Sequence, residues 1–477
     1  MGRATKTART DPTDDVAVKA VRPLSPSKTH AGEGTVTKAS ANSTHPTTTT
    51  ANGAKGRLLK SASLASATLL QSTASHPVRL GRQQSIPHPL LALESVKVGD
   101  VFVVGSGDCG QLGLGDDPDN MTREKPAMLK YFNDKHIVGV YAGGLHSIVL
   151  TKHGKLFSWG CNDQNALGRG GEETEPGPVE GLDNEYIVSV ACGDSVSAAL
   201  TREGRVYAWG TFRDNTGIFG FAPGIKEQNR PYLMPDLKGI VQISAGTNHL
   251  IAVSRDGKIY TWGVGEQGQL GRKVISRHVV EASLTPRPIN FRPSGRLSSR
   301  FTRAYCGGYT TFLVHEKQIL FSFGLNNHGQ LGVGDTDNHE FPEMVDVLDP
   351  ADGIAAVVGG EHHSVVLDSK GKVYTFGRGE DGQLGFPGKK RLDEPKHLES
   401  LVNAVGISAG GAFSLALTRN SGGTNDLHGW GYGEMGQLAN GSEDAEEPLQ
   451  FNLKGRHVIS VAAGGQHTLM LLSPKGE

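Results

Sequence analysis

One glycine-rich motif occurs seven times in this chain. It stands first as Gly105-Ser106-Gly107-Asp108-Cys109-Gly110-Gln111-Leu112-Gly113. It recurs at Gly160 to Gly168, Gly210 to Gly220, Gly263 to Gly271, Gly324 to Gly332, Gly377 to Gly385 and Gly431 to Ala439. The first glycines of successive copies lie 55, 50, 53, 61, 53 and 54 residues apart. Six copies follow an aromatic residue (Trp159, Trp209, Trp262, Phe323, Phe376, Trp430), and the first follows Val104. A fixed period of this length means that one supersecondary unit is repeated and stacked.

A second motif lies between the copies. Ala142-Gly143-Gly144-Leu145-His146-Ser147 leads into the apolar run Ile148-Val149-Leu150, a turn at Gly154, and Leu156-Phe157-Ser158-Trp159. Parallels begin at Ala245, Gly359 and Ala463. Short runs of Val, Ile, Leu, Phe and Tyr bounded by glycine turns read as strands, and no helix of ordinary length is visible in the repeats. About four short strands per unit of roughly 50 residues predicts an all-β, seven-bladed β-propeller. The last copy ends at Leu472 without its outer Trp-Gly strand, and Asp100-Val101-Phe102-Val103-Val104 supplies it. The chain therefore divides into a tail, 1–95, and a propeller, 96–477, closed by pairing of its two ends. Closure hides strand edges that would otherwise invite aggregation.

The tail holds 12 Lys+Arg and 5 Asp+Glu, a charge of +7, and 25 Ser+Thr. Its apolar residues show no sustained period, which predicts a disordered basic segment suited to DNA phosphate and to an import receptor. Ser25-Pro26 has the shape of a proline-directed phosphorylation site. The remaining 36 Lys+Arg and 44 Asp+Glu give the body −8, so the whole chain is at −1. Cys109, Cys161, Cys192 and Cys306 form no CxxC pair and read as reduced thiols. No apolar run is long enough to span a bilayer, and the N-terminus has no apolar signal core, so no membrane partner is expected.

Several patterns resemble chemistry that the repeat explains better. Gly105-x-Gly107-x-x-Gly110 matches a dinucleotide fingerprint, but the match recurs in other blades, each time before Gln-Leu-Gly or Gln-Leu-Ala and without the helix that the pyrophosphate needs. Asp116-Asp117-Pro118-Asp119 lacks the glycine and terminal glutamate of a calcium loop. The histidines are spread over blades and do not converge as metal ligands must. No Ser or Cys stands in a recognised setting for a nucleophile. These readings predict no cofactor, no metal and no covalent chemistry.

Function is sought where the repeat breaks. The third glycine motif is two residues longer than the rest and runs through Thr211-Phe212-Arg213-Asp214-Asn215-Thr216-Gly217-Ile218-Phe219, predicting a projecting loop with an exposed Phe-Arg-Asp-Asn tip. Residues 272 to 303 carry eight basic residues, Arg272, Lys273 and Arg277 among them, against the single acid Glu281. Asp108, Asp163, Glu266, Glu380 and Glu434 recur at one position of the motif and predict a ring of negative charge facing a basic partner.

Trp209-Gly210-Thr211-Phe212-Arg213-Asp214-Asn215, Gly263-Val264-Gly265-Glu266-Gln267-Gly268-Gln269-Leu270-Gly271-Arg272 and Trp159-Gly160-Cys161-Asn162-Asp163 resemble the regulator of chromosome condensation family. The resemblance covers residues 97 to 473. It implies a guanine-nucleotide exchange factor for the small GTPase Ran, working on chromatin in the nucleus and serving nucleocytoplasmic transport and mitosis. One face would bind Ran, and Phe212 to Phe219 would act as a wedge that destabilises bound nucleotide and Mg²⁺. The resemblance assigns Asp108, Asp194, His362 and His467 to that face, with His146 at a similar loop position. Asn248 stands where relatives have Asp, and Val196 replaces a His of the blade motif. The opposite face would dock on histones of the nucleosome through an arginine in the 272–281 stretch, drawn from Arg272, Lys273 or Arg277, while the tail touches DNA. A propeller scaffold that binds chromatin or another GTPase without exchange is the alternative.

Overall fold

The computed structural model describes residues 96–273, 280–295 and 297–475. The tail expected at 1–95, including Ser25, lies outside the described residues, as does Arg277. Among the described residues, thirty strands form seven four-stranded sheets and one two-stranded hairpin, a seven-bladed β-propeller. One short α-helix, α1 (Val280–Leu284), is present. No described helix is long and apolar enough to cross a membrane.

A typical blade runs outward in chain order through β3 (Ile137–Ala142), β4 (His146–Thr151), β5 (Leu156–Gly160) and β6 (Gly177–Pro178). The innermost strands are β3, β7 (Ile187–Cys192), β13 (Ile240–Ala245), β17 (Phe301–Cys306), β21 (Ile354–Gly359), β25 (Ala404–Ala409) and β29 (Val458–Ala463). Each contacts the next, and β29 returns to β3. They enclose a channel of about 770 Å³ lined by all seven blades. The second strand of a blade is buried along its whole length, as in β4 and β8 (Val196–Thr201). Both of its faces pack on neighbouring blades, so it does not alternate apolar and polar as a half-exposed strand would.

Glycine is required at the motif for two separate reasons. Gly160 has φ +104°, and a Cβ there would lie 2.5 Å from the Leu145 carbonyl oxygen. Gly113 makes a shelf for the next blade, because a Cβ would lie 2.7 Å from Trp159 Nε1. Gly168 under Trp209 and Gly332 under Phe376 repeat this packing. The seventh motif ends in Ala439 in place of glycine, and Val104, the one non-aromatic residue at the Trp position, lies in the core cluster against which Ala439 packs. Two irregularities of the sequence thus meet at one junction, where a smaller side chain makes room for a methyl group.

The closing blade has the order β2-β1-β30-β29. β1 (Asp100–Ser106) pairs with β30 (His467–Leu472) from Asp100↔Leu472 to Gly105↔His467. The N-terminal part also supplies the outermost strand, β2 (Thr122–Met128), so the blade is shared two strands to two. Val101, Val103 and Val104 of β1 are fully buried. Deleting residues 1–104 removes these three side chains, each worth about 1.5–3 kcal/mol of burial, and bares the edge of β30. The expected calorimetric result is a large fall in melting temperature for this deletion and none for deletion of 1–95. Equal melting of the two chains would disprove the role of β1 as a closing strand.

Candidate functional site

The strand ends divide the loops into two sets. His146 faces Gly160 across β4 and β5, so the Gly-Gly-x-His loops and the long glycine motifs leave from the same end of the blades. The short turns such as 152–155 lie at the other end, where Leu150 faces Leu156.

A repeated polar latch joins the blades beneath the first end. His146 Nε2 lies 2.8 Å from Ser197 Oγ, and that hydroxyl lies 2.8 Å from the Ala166 carbonyl oxygen. The hydroxyl gives its one proton to the carbonyl, so the ring must donate from Nε2. The same chain runs from His249 to Thr311 to the Gln269 carbonyl, from His363 to Ser414 to Gln383, and from His467 to Ser147 to Gln111. Trp209, Trp430 and Trp159 donate Nε1 to the same carbonyls of Ala166, Gln383 and Gln111. Motif glutamines also turn back on their own loops, with Gln111 Oε1 accepting the Cys109 N–H at 2.8 Å. The glycine motif is therefore a joint between blades.

Three junctions lack the histidine, which Val196, Thr310 and Phe413 replace. The facing Ser364 and Thr468 still donate their hydroxyls to the Gln330 and Gln437 carbonyls at two of them, and at the third both partners are lost. Val196 stands in the place of the histidine, Leu250 in the place of the hydroxyl residue, and the third motif opens into a hairpin. The hairpin is β10 (Phe212–Asp214) paired with β11 (Gly217–Gly220). Val196, Leu250, Phe212, Phe221, Trp262 and Leu284 of α1 form one apolar cluster there. The hairpin supplies no carbonyl for Trp262, whose Nε1 has no hydrogen-bond partner. Phe212 and Phe221 are fully buried and root the hairpin, while Arg213, Asn215 and Thr216 are exposed. The tip is held by Asp214, whose Oδ1 accepts Thr216 N–H at 2.8 Å and Thr216 Oγ–H at 2.7 Å. Asn248 Oδ1 accepts the Arg213 N–H at 2.8 Å and ties the hairpin to the neighbouring blade.

The surface around the hairpin is acidic. Asp108, Asp163, Glu266, Glu380 and Glu434 are all exposed on loops of this end, although Arg378 engages Glu380 at 2.9 Å. Asp194 lines the mouth of the channel beside Gly144. Burial raises the pKa of its carboxyl, and the charge of Arg213 opposes that rise. The His362 ring stacks on Tyr309 at 6.2 Å and lies 5.0 Å from the His328 ring. Burial first, then the positive charges of His328 and Arg378, push its pKa down. A basic protein surface fits this combination of negative rim, half-buried carboxylate and projecting hairpin.

Several sequence expectations need correction. His146 and His467 are fully buried latch residues and present nothing to a partner on this face. Phe212 belongs to the buried root of the hairpin, so the exposed tip begins at Arg213. Arg272 turns inward, with Nη2 3.4 Å from the carbonyl oxygens of Thr261 and Ala282. It repeats the placement of Arg169, which donates to the Ser158, Gly170 and Glu175 carbonyls. Lys273 is exposed. The connection from β15 (Ile259–Gly263) to β16 (Arg287–Pro288) carries this stretch. It leaves β15 at Gly263, opposite His249, and is thus rooted at the hairpin's end of the ring and not at the opposite end. Sequence reading also passed over Tyr309, His328 and Leu250; the replacement of Val196 and Leu250 together was the available signal.

Residues 100–470 match the RCC1-like domain model. The human protein "Regulator of chromosome condensation" is 37 % identical over 398 residues, spanning 80 % of this chain and 92 % of the relative. "Guanine nucleotide exchange factor SRM1" of Saccharomyces cerevisiae is 29 % identical over 83 % of this chain and 91 % of the relative. The crystal structure of Prp20p from Saccharomyces cerevisiae, described with its binding properties to Gsp1p and histones, superposes with a TM-score of 0.76. Its identity is 29 %, over 83 % of this chain and 97 % of that one. With the domain match over residues 100–470 and the human relative at 37 % identity, this chain belongs to the regulator of chromosome condensation family.

Proposed function

We propose that this protein is a guanine-nucleotide exchange factor for Ran that acts on chromatin. The observation that carries the reading is the 212–220 hairpin, built at the junction where both the histidine and the hydroxyl residue of the latch are replaced by apolar side chains. A rigid hairpin on an acidic face can enter a basic nucleotide-binding surface and compete with bound nucleotide and Mg²⁺. Its effect is differential binding: the nucleotide-free GTPase is favoured over the loaded one, and no covalent bond changes. The direction of exchange then follows the supply of nucleotide, so abundant GTP yields Ran-GTP for transport and mitosis. Nuclear localisation, histone contact, DNA contact through residues 1–95 and carriage by an import receptor belong to the same reading, supported by the family and the basic tail. Of the two described candidates for histone contact, Arg272 and Lys273, Lys273 is the exposed one.

The test is release of fluorescent GDP from Ran at catalytic amounts of the full chain. Acceleration is expected; no acceleration leaves the scaffold reading in its place. Asp194→Ala removes the half-buried carboxylate beside the hairpin. It is expected to slow release by at least about tenfold, equivalent to ~1.4 kcal/mol of barrier, with the melting temperature unchanged. Loss of exchange accompanied by unfolding would assign Asp194 to structure instead.

A further inference from the structure

His362 differs from the other histidines of the repeat in how its ring is held. The latch rings of His146, His249, His363 and His467 are each fixed by a hydroxyl of the next blade. His362 stands one residue before His363, on the loop between β21 and β22 (His363–Asp368). Its Nδ1 is buried without a hydrogen-bond partner. The proton of the neutral ring is therefore assigned to Nε2, because a buried N–H without an acceptor is rarer in folded proteins than a buried acceptor without a donor. Two rings of the preceding blade set its orientation instead. Tyr309, on the loop between β17 and β18 (Thr310–His315), stacks on it with 23° between the ring planes. His328, on the glycine loop after β19 (Leu320–Gly324), meets it at 53°. The loop of His328 is itself fixed: its N–H donates to Gln330 Oε1 at 2.8 Å, and Gln330 Nε2 donates to Asn327 Oδ1 at 3.0 Å. The His362 backbone is anchored separately, its carbonyl accepting the Arg378 N–H at 2.8 Å. The Arg378 side chain is engaged by Glu380 at 2.9 Å and Asp381 at 3.3 Å.

We propose that Tyr309 and His328 are positioning residues for exchange: they clamp the His362 ring across the blade boundary and aim its Nε2–H at a hydrogen-bond acceptor on the GTPase. This inference rests on the exchange reading above. A working histidine is ordinarily oriented by a hydrogen bond to its second ring nitrogen. Here aromatic contact does that work, since Nδ1 has no partner. A donor oriented in advance costs less ordering entropy when the partner arrives. The clamp also adjoins the acidic mouth of the channel. After burial, the charges of Glu361 and Asp194 raise the pKa of Tyr309, which places its ring beside both carboxylates. In the motif of His328 the position that carries an acid in five other blades is Asn327, so the histidine pair has no carboxylate neighbour at that position.

The test measures release of fluorescent GDP from Ran by full-length Tyr309→Ala, Tyr309→Phe, His328→Ala, His362→Gln and the double variant Tyr309→Ala with His362→Gln. Tyr309→Ala and His328→Ala are each expected to slow release by about threefold to tenfold, the worth of one aromatic pair. Tyr309→Phe keeps the ring and should release at the parental rate. The double variant should be no slower than His362→Gln, because a residue that acts through another loses its effect once the other is gone. Melting temperatures should match the parent throughout. In histidine-labelled protein, the Hε1 resonance of His362, identified by its loss in His362→Gln, should move in Tyr309→Ala and stay in Tyr309→Phe. Parental rates for both alanine variants would overturn the proposal. So would additive loss in the double variant, or slowing by Tyr309→Phe equal to that of Tyr309→Ala. A parent chain that does not accelerate release overturns the exchange reading instead. The Hε1 resonance then decides the clamp by itself: movement in Tyr309→Ala upholds it, and no movement removes it.

Discussion

Phe212→Ala is expected to cost about 3–5 kcal/mol of stability, the range for emptying a fully buried aromatic site. It should also slow GDP release from Ran by about a hundredfold or more. Phe212 has no exposed surface and sits in one cluster with Val196, Leu250, Phe221 and Trp262. The cavity would open directly under the hairpin. A Cβ at Gly263 would lie 3.0 Å from the Phe212 ring, so the neighbouring blade is also shaped to this residue. The Arg213–Asn248 hydrogen bond would then hold a hairpin without a root. Urea unfolding gives the stability term, and GDP release at a temperature where both proteins are folded gives the functional term. Asn215→Ala separates the two, because Asn215 is exposed at the tip: release should slow with the urea midpoint unchanged. If Phe212→Ala releases GDP at the parental rate while losing stability, the hairpin is not the working part.

The second large effect is acid lability. Burial pushes the pKa of His146 down to about 4 and those of His249, His363 and His467 to about 3, from 6.5. A depressed histidine pKa means that the unfolded chain binds protons which the folded chain refuses. The stabilisation is complete above pH 6.5 and is lost as pH falls below it toward the folded values. Each site contributes about 1.4 kcal/mol per pH unit in that window, and four give about 5 kcal/mol per unit. Urea midpoints at pH 7, 6 and 5 should therefore fall steeply. The protein carries its own control, because Phe413 occupies the histidine position of its blade. A Cβ at Gly410 would lie 2.1 Å from the Phe413 ring, as one at Gly360 would lie 2.3 Å from the His363 ring. His363→Phe should then fold, lose some stability at pH 7 because the Ser414 oxygen no longer accepts from His363 Nε2 while still donating to the Gln383 carbonyl, and reduce the acid slope by about one quarter. An unchanged slope would show that carboxylates and not the latches govern acid unfolding.

The fold was legible because the period is a property of the chain: seven glycine motifs need no knowledge of contacts. The pairing of Asp100–Val104 with the last strand followed from counting strands. The contribution of β2 did not, because Thr122–Met128 (TREKPAM) has no apolar run to mark it. The candidate site was legible as a region and misread in parts. His146 and His467 follow glycine pairs and look like loop residues, yet each begins a strand buried between blades. Phe212 looks like the tip of an insertion because sequence gives the length of a loop without its direction. The Val196 departure has a meaning only beside Leu250, which lies 54 residues away and forms the other half of the missing latch.

The two-and-two sharing of the closing blade also fixes an order of events during synthesis. β1 and β2 leave the ribosome first, but β29 and β30 are the last strands made. The leading pair must wait through more than three hundred residues with β1 unpaired along the edge that β30 will cover. Unpaired edges of this kind are where nascent chains associate wrongly. A chain stopped early by a premature termination codon, even one that has made six complete blades, retains that open edge. Such truncated products should be recognised by chaperones and degraded, so that quality control acts on whether the ring has closed.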